Sequence, residues 1–460
     1  MSFDAVPNEL IREVFSHCQT SDLLALCLAS RRLHSQSILS LYHTADFEDA
    51  ARIVKWCEAL KMRPELTEMT INLSMELTPT AAFDAPLLEM TLSMLCNLHT
   101  LEIWSSSLFI FSLLKDAYFP RLVRLAGLVT ADIFLFLERH RHTLECVQIH
   151  PGRPDAQAFV HAGFPITLPA TTLVFPNLKR LSMSAAGAAA MVPGSVVTSV
   201  QIYWPFNPVA ACNYDKLAAA IAGSRERVRQ VDNLLLGWPA SAGYSPVASI
   251  AEHLGDQVKR LGFTIFGESH SDPLEVLFTK VHPLLASIEN HLPKFQQLNN
   301  IFSPRGNTDR LAALDEDTIL DALSRDYEVI EKWRELCPTL VTVCLPATSV
   351  PWAKVDLGVC VWLPDTLPTL IETRCATPWT MVLFKWFLKL VIQAVSRNVE
   401  LARLKLGVAL AIDVVGGEGW QVLSRKFEVD GRIPDFELLL DPDGDSGERD
   451  FMKTRIRLLD

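Results

Sequence analysis

Apolar residues in the first stretch of the chain recur at helical spacing. Leu10, Ile11, Val14 and Phe15 fall at i, i+1, i+4 and i+5, which lines them along one face of a helix. Pro7 suits the first turn, where its missing N–H has no intrahelical acceptor. Ser21 offers a cap and Asp22 a favourable charge for a second helix running through Leu23, Leu24, Leu26 and Leu28 towards Ser30. A third helix is predicted over residues 32–43. Helices of about ten residues do not persist alone in water, and a module of about 40 residues buries too little surface to be very stable by itself. Its apolar faces therefore call for each other and for a second protein.

From Leu66 onward a different pattern returns: an apolar residue, two others, an apolar residue, one other, an apolar residue. The copies are Leu66-Met69-Ile71, Leu98-Leu101-Ile103, Leu144-Val147-Ile149, Leu178-Leu181-Met183, Val197-Val200-Ile202, Val231-Leu234-Leu236, Val258-Leu261-Phe263 and Leu340-Val343-Leu345, with a weaker one at Leu122 and Leu125. Alternation at the end of each copy fits a short strand with one side inward. Residues 131–140 and 214–227 read as intervening helices, and residues 48–61 as a helix joining the N-terminal module to the first copy. This series resembles leucine-rich repeats, in which parallel strands stack and each repeat completes its neighbour's core. Most copies lie 19 to 35 residues apart and the step from Val258 to Leu340 is far longer, so several carry insertions.

The pattern stops near Pro351, and Trp352, Trp362, Trp379 and Trp386 raise the aromatic content beyond it. Residues 420–423 and 436–440 read as strands separated by the turn Asp430-Gly431-Arg432, able to pair as an antiparallel edge. Residues 379–395 form the most apolar stretch. They carry Lys385 and Lys389 and fall short of the roughly 20 residues that span a bilayer, so a buried amphipathic helix is expected there. The predicted fold class is thus α/β: a three-helix module (1–46), a linker helix (47–64), an irregular repeat solenoid of short parallel strands with helices (65–350) and a C-terminal capping segment (351–460).

Composition narrows the function classes. The chain has 460 residues, of which 49% are hydrophobic and 21% charged, which is ordinary globular usage. Its formal net charge of -11 gives no overall footprint for a phosphate backbone, so nucleic acid is not an expected partner. The start Met1-Ser2-Phe3-Asp4 lacks a secretory pattern, and the ten cysteines include no pair at two-residue spacing. A reduced, cytosolic or nuclear protein without a membrane span is expected.

Signatures of hydrolases, nucleotide loops and zinc proteases are missing from the sequence. Gly416-Gly417-Glu418-Gly419 reads as a turn. Asp441-Pro442-Asp443-Gly444-Asp445 departs from a calcium loop in placing glycine fourth and Met452 twelfth, and reads as an acidic surface turn. Glu138, His140 and His142 cluster without a fourth ligand, and Cys57 or Cys337 would need a histidine close in space. No catalytic residue, metal or cofactor is assigned.

Val6-Pro7-Asn8-Glu9-Leu10-Ile11, Val14-Phe15, Asp22-Leu23-Leu24, Leu28, Ser30-Arg31 and Leu41-Tyr42 follow in order and spacing the pattern of the F-box, which the N-terminal module resembles. Cys18 stands where that pattern usually has leucine, and Leu33 where tryptophan is frequent. The resemblance implies docking on the Skp adaptor of a cullin ubiquitin ligase, with Pro7, Leu10, Ile11, Val14, Phe15, Leu23, Leu24 and Leu28 shared between that interface and the module's own core.

The expected function is a non-catalytic substrate receptor in which the F-box holds the ligase and the repeats hold a target protein. The alternative is a repeat scaffold whose N-terminal helices are merely a cap, burying Pro7, Leu10 and Phe15 against the repeats. If the repeats stack, Glu102, Trp104, Gln148, His150, Ser182, Ser184, Gln201, Tyr203 and Leu235 line a concave face, with Trp104 and Tyr203 as aromatic anchors. That row carries no arginine, which argues for targets that are not phosphorylated.

Overall fold

A computed structural model describes residues 6–77, 85–105, 114, 117–128, 133–150, 172–204, 214–236, 245–266, 274–302, 316–345, 348, 350–356, 360–364, 409–414, 420–425, 435–439 and 455–459. The chain divides into two compact units: Met1–Pro239 with Ser245–Val258 and Ile265–Gly267, and Ala240–Tyr244 with Lys259–Thr264 and Glu268–Asp460.

The first unit opens with three helices, α1 (Asn8–Ser16), α2 (Thr20–Ala29) and α3 (Arg31–His43). Pro7 occupies the N-cap of α1, one residue before the predicted place, with φ -56° and ψ 146°. Ser21 does not cap α2. That helix starts at Thr20, and the Gln19 N–H donates to Asp22 Oδ2 at 3.3 Å. Ser30 ends α2 and caps α3, its hydroxyl accepting from Leu33 N–H at 3.2 Å.

The chain then enters the sheet directly. Thr44–Phe47 forms β1, parallel to β2 (Asn72–Leu77), so the helix α4 (Ala50–Met62), expected as a spacer, lies between two strands of the sheet. Asp49 caps it, accepting from Ala51 N–H at 2.8 Å. The His43 carbonyl at the end of α3 accepts from Ile71 N–H at 3.0 Å, tying the helical module to the second strand.

The strands that follow are β3 (Thr100–Ser105), β4 (Arg124–Leu128), β5 (Cys146–His150), β6 (Arg180–Ser184), β7 (Ser199–Trp204) and β8 (Gln230–Leu236), each parallel to the one before. The register aligns Ala45, Leu73, Leu101, Leu125, Val147, Leu181, Val200 and Val231 in one row. All eight are buried, none above 4% exposed. This row is the apolar pattern of the sequence made physical: each short strand hides one side chain against those of its neighbours.

Register also corrects two copies. Leu66-Met69-Ile71 overlaps a 3-10 helix, Pro64–Met69, and the strand copy lies further on at Leu73 and Met75. Val231-Leu234-Leu236 is shifted too, since Val231 pairs with Val200 and Asn233 with Ile202. Asn233 takes an inward place, where Trp204 Nε1–H donates to its Oδ1 at 3.1 Å. A polar residue there broke the apolar pattern and hid the true phase.

Polar side chains stitch successive turns together. Asn97 Nδ2 donates to the Glu68 carbonyl at 2.7 Å, Asn177 Nδ2 to the His142 carbonyl at 2.6 Å, and the Ser224 hydroxyl to the Val197 carbonyl at 2.9 Å. Backbone carbonyls outside the ladder thereby gain partners. Helices α5 (Ala85–Ser93), α6 (Ile133–Arg139), α7 (Ala185–Met191), α8 (Tyr214–Ala222) and α9 (Ser245–Leu254) lie between strands, α6 and α8 within the predicted helical segments. Gly194 turns the chain from α7 towards β7 at φ 76°, a left-handed conformation that a side chain would strain.

In the second unit β9 (Arg260–Phe266), β10 (Asn300–Phe302) and β11 (Thr342–Cys344) are parallel. Leu298 and Ile301 supply the copy missing from the long step between Val258 and Leu340, and the long helices α10 (Leu274–His291) and α11 (Glu316–Leu336) account for that step. Beyond Pro351 the direction reverses: β12 (Pro351–Asp356) and β13 (Cys360–Pro364) add antiparallel. Two further antiparallel pairs join β14 (Ala409–Val414) with β15 (Trp420–Arg425) and β16 (Asp435–Leu439) with β17 (Arg455–Leu459). The two strands expected near 420 and 436 are present, but each pairs with a different partner rather than with the other. The helix expected over 379–395, the glycine cluster at 416–419 and the acidic turn at 441–445 fall outside the described residues.

Asp326, on α11, is buried at 1% exposure and accepts a hydrogen bond from the Thr348 hydroxyl, which in turn accepts from Val350 N–H at 3.2 Å. Burial pushes its carboxyl up to about 7, against the pull of Thr348 and of the Trp352 indole. Its folded value exceeds 3.8, so the stability it contributes is complete below pH 3.8 and lost as pH rises through about 7. Asp326→Asn is expected to remove this slope, leaving the variant on the order of 3 kcal/mol more stable than wild type at pH 8 relative to their difference at pH 4. Urea titrations at the two pH values check it.

Candidate functional site

The eight residues expected to serve the adaptor interface divide cleanly. Ile11, Phe15 and Leu23 are buried and form the core of the helical module, with Val6, Cys18, Leu26, Leu33 and Leu41 packed against them. Leu10, Val14, Leu24 and Leu28 are 57%, 59%, 55% and 90% exposed, and Pro7 is also exposed. Helices α1 and α2 thus each present an i, i+4 pair of open aliphatic side chains next to a buried set. These four open aliphatics fall between Leu10 and Leu28 on two neighbouring helices.

The module braces this face with polar contacts. Arg32 Nη2 donates to Asn8 Oδ1 at 2.9 Å and to the Val6 carbonyl, tying α3 to the start of α1. Arg12 Nε donates to Gln36 Oε1 at 2.8 Å. The two departures from the F-box pattern, Cys18 and Leu33, both turn towards the core, so neither removes an exposed contributor.

On the sheet, the outward positions form rows of their own. Ser74, Glu102, Ala126, Gln148, Ser182, Gln201 and Asp232 align, as do Ser184 with Tyr203 and Leu128 with His150. Of the nine residues predicted here, Trp104, His150, Ser182, Gln201 and Tyr203 are brought together. The Trp104 and His150 rings lie 5.0 Å apart and those of His150 and Tyr203 4.8 Å apart. The Ser182 hydroxyl donates to Gln201 Oε1 at 2.6 Å and to the Tyr203 hydroxyl at 3.2 Å, and the Tyr203 hydroxyl bonds the His150 ring.

Burial in this cluster pushes His150 down to about 4 and Tyr203 up to about 12, the latter against the pull of Ser182, so both are neutral at pH 7. Ser182 and Tyr203 are only 3% and 4% exposed. Tyr203, expected as an anchor, is therefore a bracing residue, and Trp104 is the partly open aromatic beside it. Ser184 caps α7, accepting from Gly187 N–H at 3.4 Å. Leu235 belongs to β8, and its side chain lies outside the described residues.

Arginine is present on this face, contrary to expectation. Arg124, Arg180, Ser199 and Gln230, with the buried Cys146 between the two arginines, form a further row one step before the buried one. Arg124 Nη2 lies 3.2 Å from Glu102 Oε1 and 3.1 Å from Gln148 Oε1, engaging two predicted contact residues. Extending the period-2 reading of each copy one residue towards the N-terminus would have found this row. His140 is a core residue: its Nε2 accepts from Phe119 N–H and its Nδ1 donates to the Phe136 carbonyl, both at 2.9 Å.

Residues 3–39 match the F-box domain. The chain therefore carries an N-terminal F-box, the domain that couples receptors to ligases of the Skp-cullin-F-box type, and an adaptor role of that general kind follows. No curated protein matches the chain in sequence. Among the described residues, no helix is long and apolar enough to cross a membrane.

Substitutions separate core from face. Phe15→Ala is expected to destabilise the module by about 3 kcal/mol or more, because it empties a buried site, whereas Leu28→Ala shifts stability by about 0.5 kcal/mol or less. Amide hydrogen exchange of α1 to α3 reads the difference. His150 folds with a value below 6.5, so the unfolded chain takes the proton first and stability falls as pH drops from 6.5 towards 4. Between pH 7 and 4.5 wild type is expected to lose about 2 kcal/mol more than His150→Gln in chemical denaturation.

Proposed function

We propose that the protein is a substrate-receptor subunit of a Skp-cullin-F-box ubiquitin ligase, non-catalytic itself, working in the cytosol or nucleus. The observation that carries this reading is the exposure of Leu10, Val14, Leu24 and Leu28 within a segment that matches the F-box domain. A mere cap on the repeats would bury Pro7 and Leu10, yet both are open, while Phe15 is taken up by the module's own core. Docking would cover the aliphatic pairs, removing apolar surface from water at roughly 25 cal/mol per Å2.

The stacked strands suit the second task, holding a target protein. Glu102, Trp104, Gln148, His150 and Gln201 remain partly open on one face, mixing an aromatic with hydrogen-bonding groups. Because α3 runs straight into β1, and His43 bonds Ile71, no flexible segment separates the F-box from the first strands. A target held on the sheet would keep a fixed distance from the adaptor, which raises its effective concentration at the transferring enzyme.

Co-expression of the full chain with a Skp adaptor tests the reading. Wild type is expected to be pulled down with the adaptor, and a Leu10→Asp, Leu28→Asp variant with an unchanged melting temperature to lose about a hundredfold or more in affinity. No binding by folded wild type would refute the receptor role.

A further inference from the structure

The strand starts of the first unit gather cations at one place. Lys179 precedes β6 and Arg180 opens it, and Arg225, Arg227 and Arg229 lie on the turn leading into β8; all five are exposed. The backbone brings the two groups close. Thr198 N–H donates to the Lys179 carbonyl and Arg229 N–H to the Thr198 carbonyl, both at 2.9 Å, so Lys179 and Arg229 occupy equivalent steps two strands apart. That separation is roughly 10 Å at ordinary strand spacing. Arg225 N–H donates to the Ser195 carbonyl at 2.8 Å, which lays the turn along the start of β7.

The arginine turn is held in phase by packing. Val228, between Arg227 and Arg229, is buried at 0% exposure, and its N–H donates to Gln257 Oε1 at 3.2 Å. Anchoring Val228 leaves the flanking arginines on the solvent side. Opposing charge is sparse: Glu145 pairs with Lys179 at 2.7 Å, and Glu226 and Asp256 are the other acidic residues on these turns. Arg180 lies in the same row as Arg124, two strands on, with the buried Cys146 between them. In a chain of net charge -11, such a concentration of exposed guanidinium groups is a local reversal of sign.

We propose that this edge, from Lys179 to Arg229, is the part of the recognition surface that receives a carboxylate-rich segment of the target protein. Planar guanidinium forks match carboxylates in bidentate pairs, and four of the five cations are arginine rather than lysine. The Glu145 carboxylate already on Lys179 shows the chemistry the edge supports. An extended acidic segment lying across β6 to β8 would meet cations at Lys179 and Arg229, roughly 10 Å apart, the span of three residues. This rests on reading the strands as the target-binding part of the receptor, and deepens it by naming the charge of the target.

Fluorescence anisotropy with the full chain and labelled 12-residue probes tests it: an Asp/Glu-rich peptide, its Asn/Gln counterpart and a single-stranded RNA. Expected is salt-dependent binding of the acidic peptide, none of the neutral one, weaker binding of RNA, and a loss of about tenfold or more in Arg180→Glu, Arg229→Glu. That variant keeps its melting curve and its adaptor pull-down. No binding of the acidic peptide, equal binding by the variant, or tighter binding of RNA would each overturn the assignment. Failure of the adaptor pull-down with peptide binding intact would instead strike the receptor reading and leave the acidic-segment site standing.

Discussion

One buried row governs the first unit. Ala45, Leu73, Leu101, Leu125, Val147, Leu181, Val200 and Val231 lie side by side, one from each successive strand, and each excludes water from the next. A slip of one residue in any strand would turn its aliphatic outward and its polar neighbour inward, so register is fixed by burial. With it is fixed everything on the outer side: the Trp104, His150 and Tyr203 rings, the Arg124 contacts to Glu102 and Gln148, and the cationic edge at Lys179 and Arg180.

The F-box faces the opposite constraint. Its three helices are too small to hide all of their leucines, and they divide them: Ile11, Phe15 and Leu23 inward, Leu10, Val14, Leu24 and Leu28 outward. The inward set makes the module's core and the outward set leaves it with open apolar surface. The direct run from α3 into β1 then joins this face to the sheet.

Much of this was legible in the sequence because it depends on period. Helical spacing located α1 to α3, and the Leu-x-x-Leu-x-apolar series located most strands, since Leu101, Val147, Leu181 and Val200 stand where the pattern put them. It failed where a polar residue fills an inward place, as Asn233 does under Trp204, and where apolar residues serve a turn, as Leu66 does in a 3-10 helix. Strand β10 was missed because two long helices stretch the interval around it. Which of the F-box aliphatics face outward could not be read from spacing, because both sets repeat at four residues. The burial of Ser182 and Tyr203 arises from contacts between strands, which no local pattern carries.

We propose that one chain divides two tasks, docking on α1 and α2 and recognition on the strands that follow them. Hydrogen–deuterium exchange of the full chain with and without a Skp adaptor addresses it most directly. Adaptor is expected to slow exchange across residues 8–29 and to leave β3 to β8 unchanged. Protection of the strands with none in the helices, or no change anywhere in the presence of saturating adaptor, would contradict it.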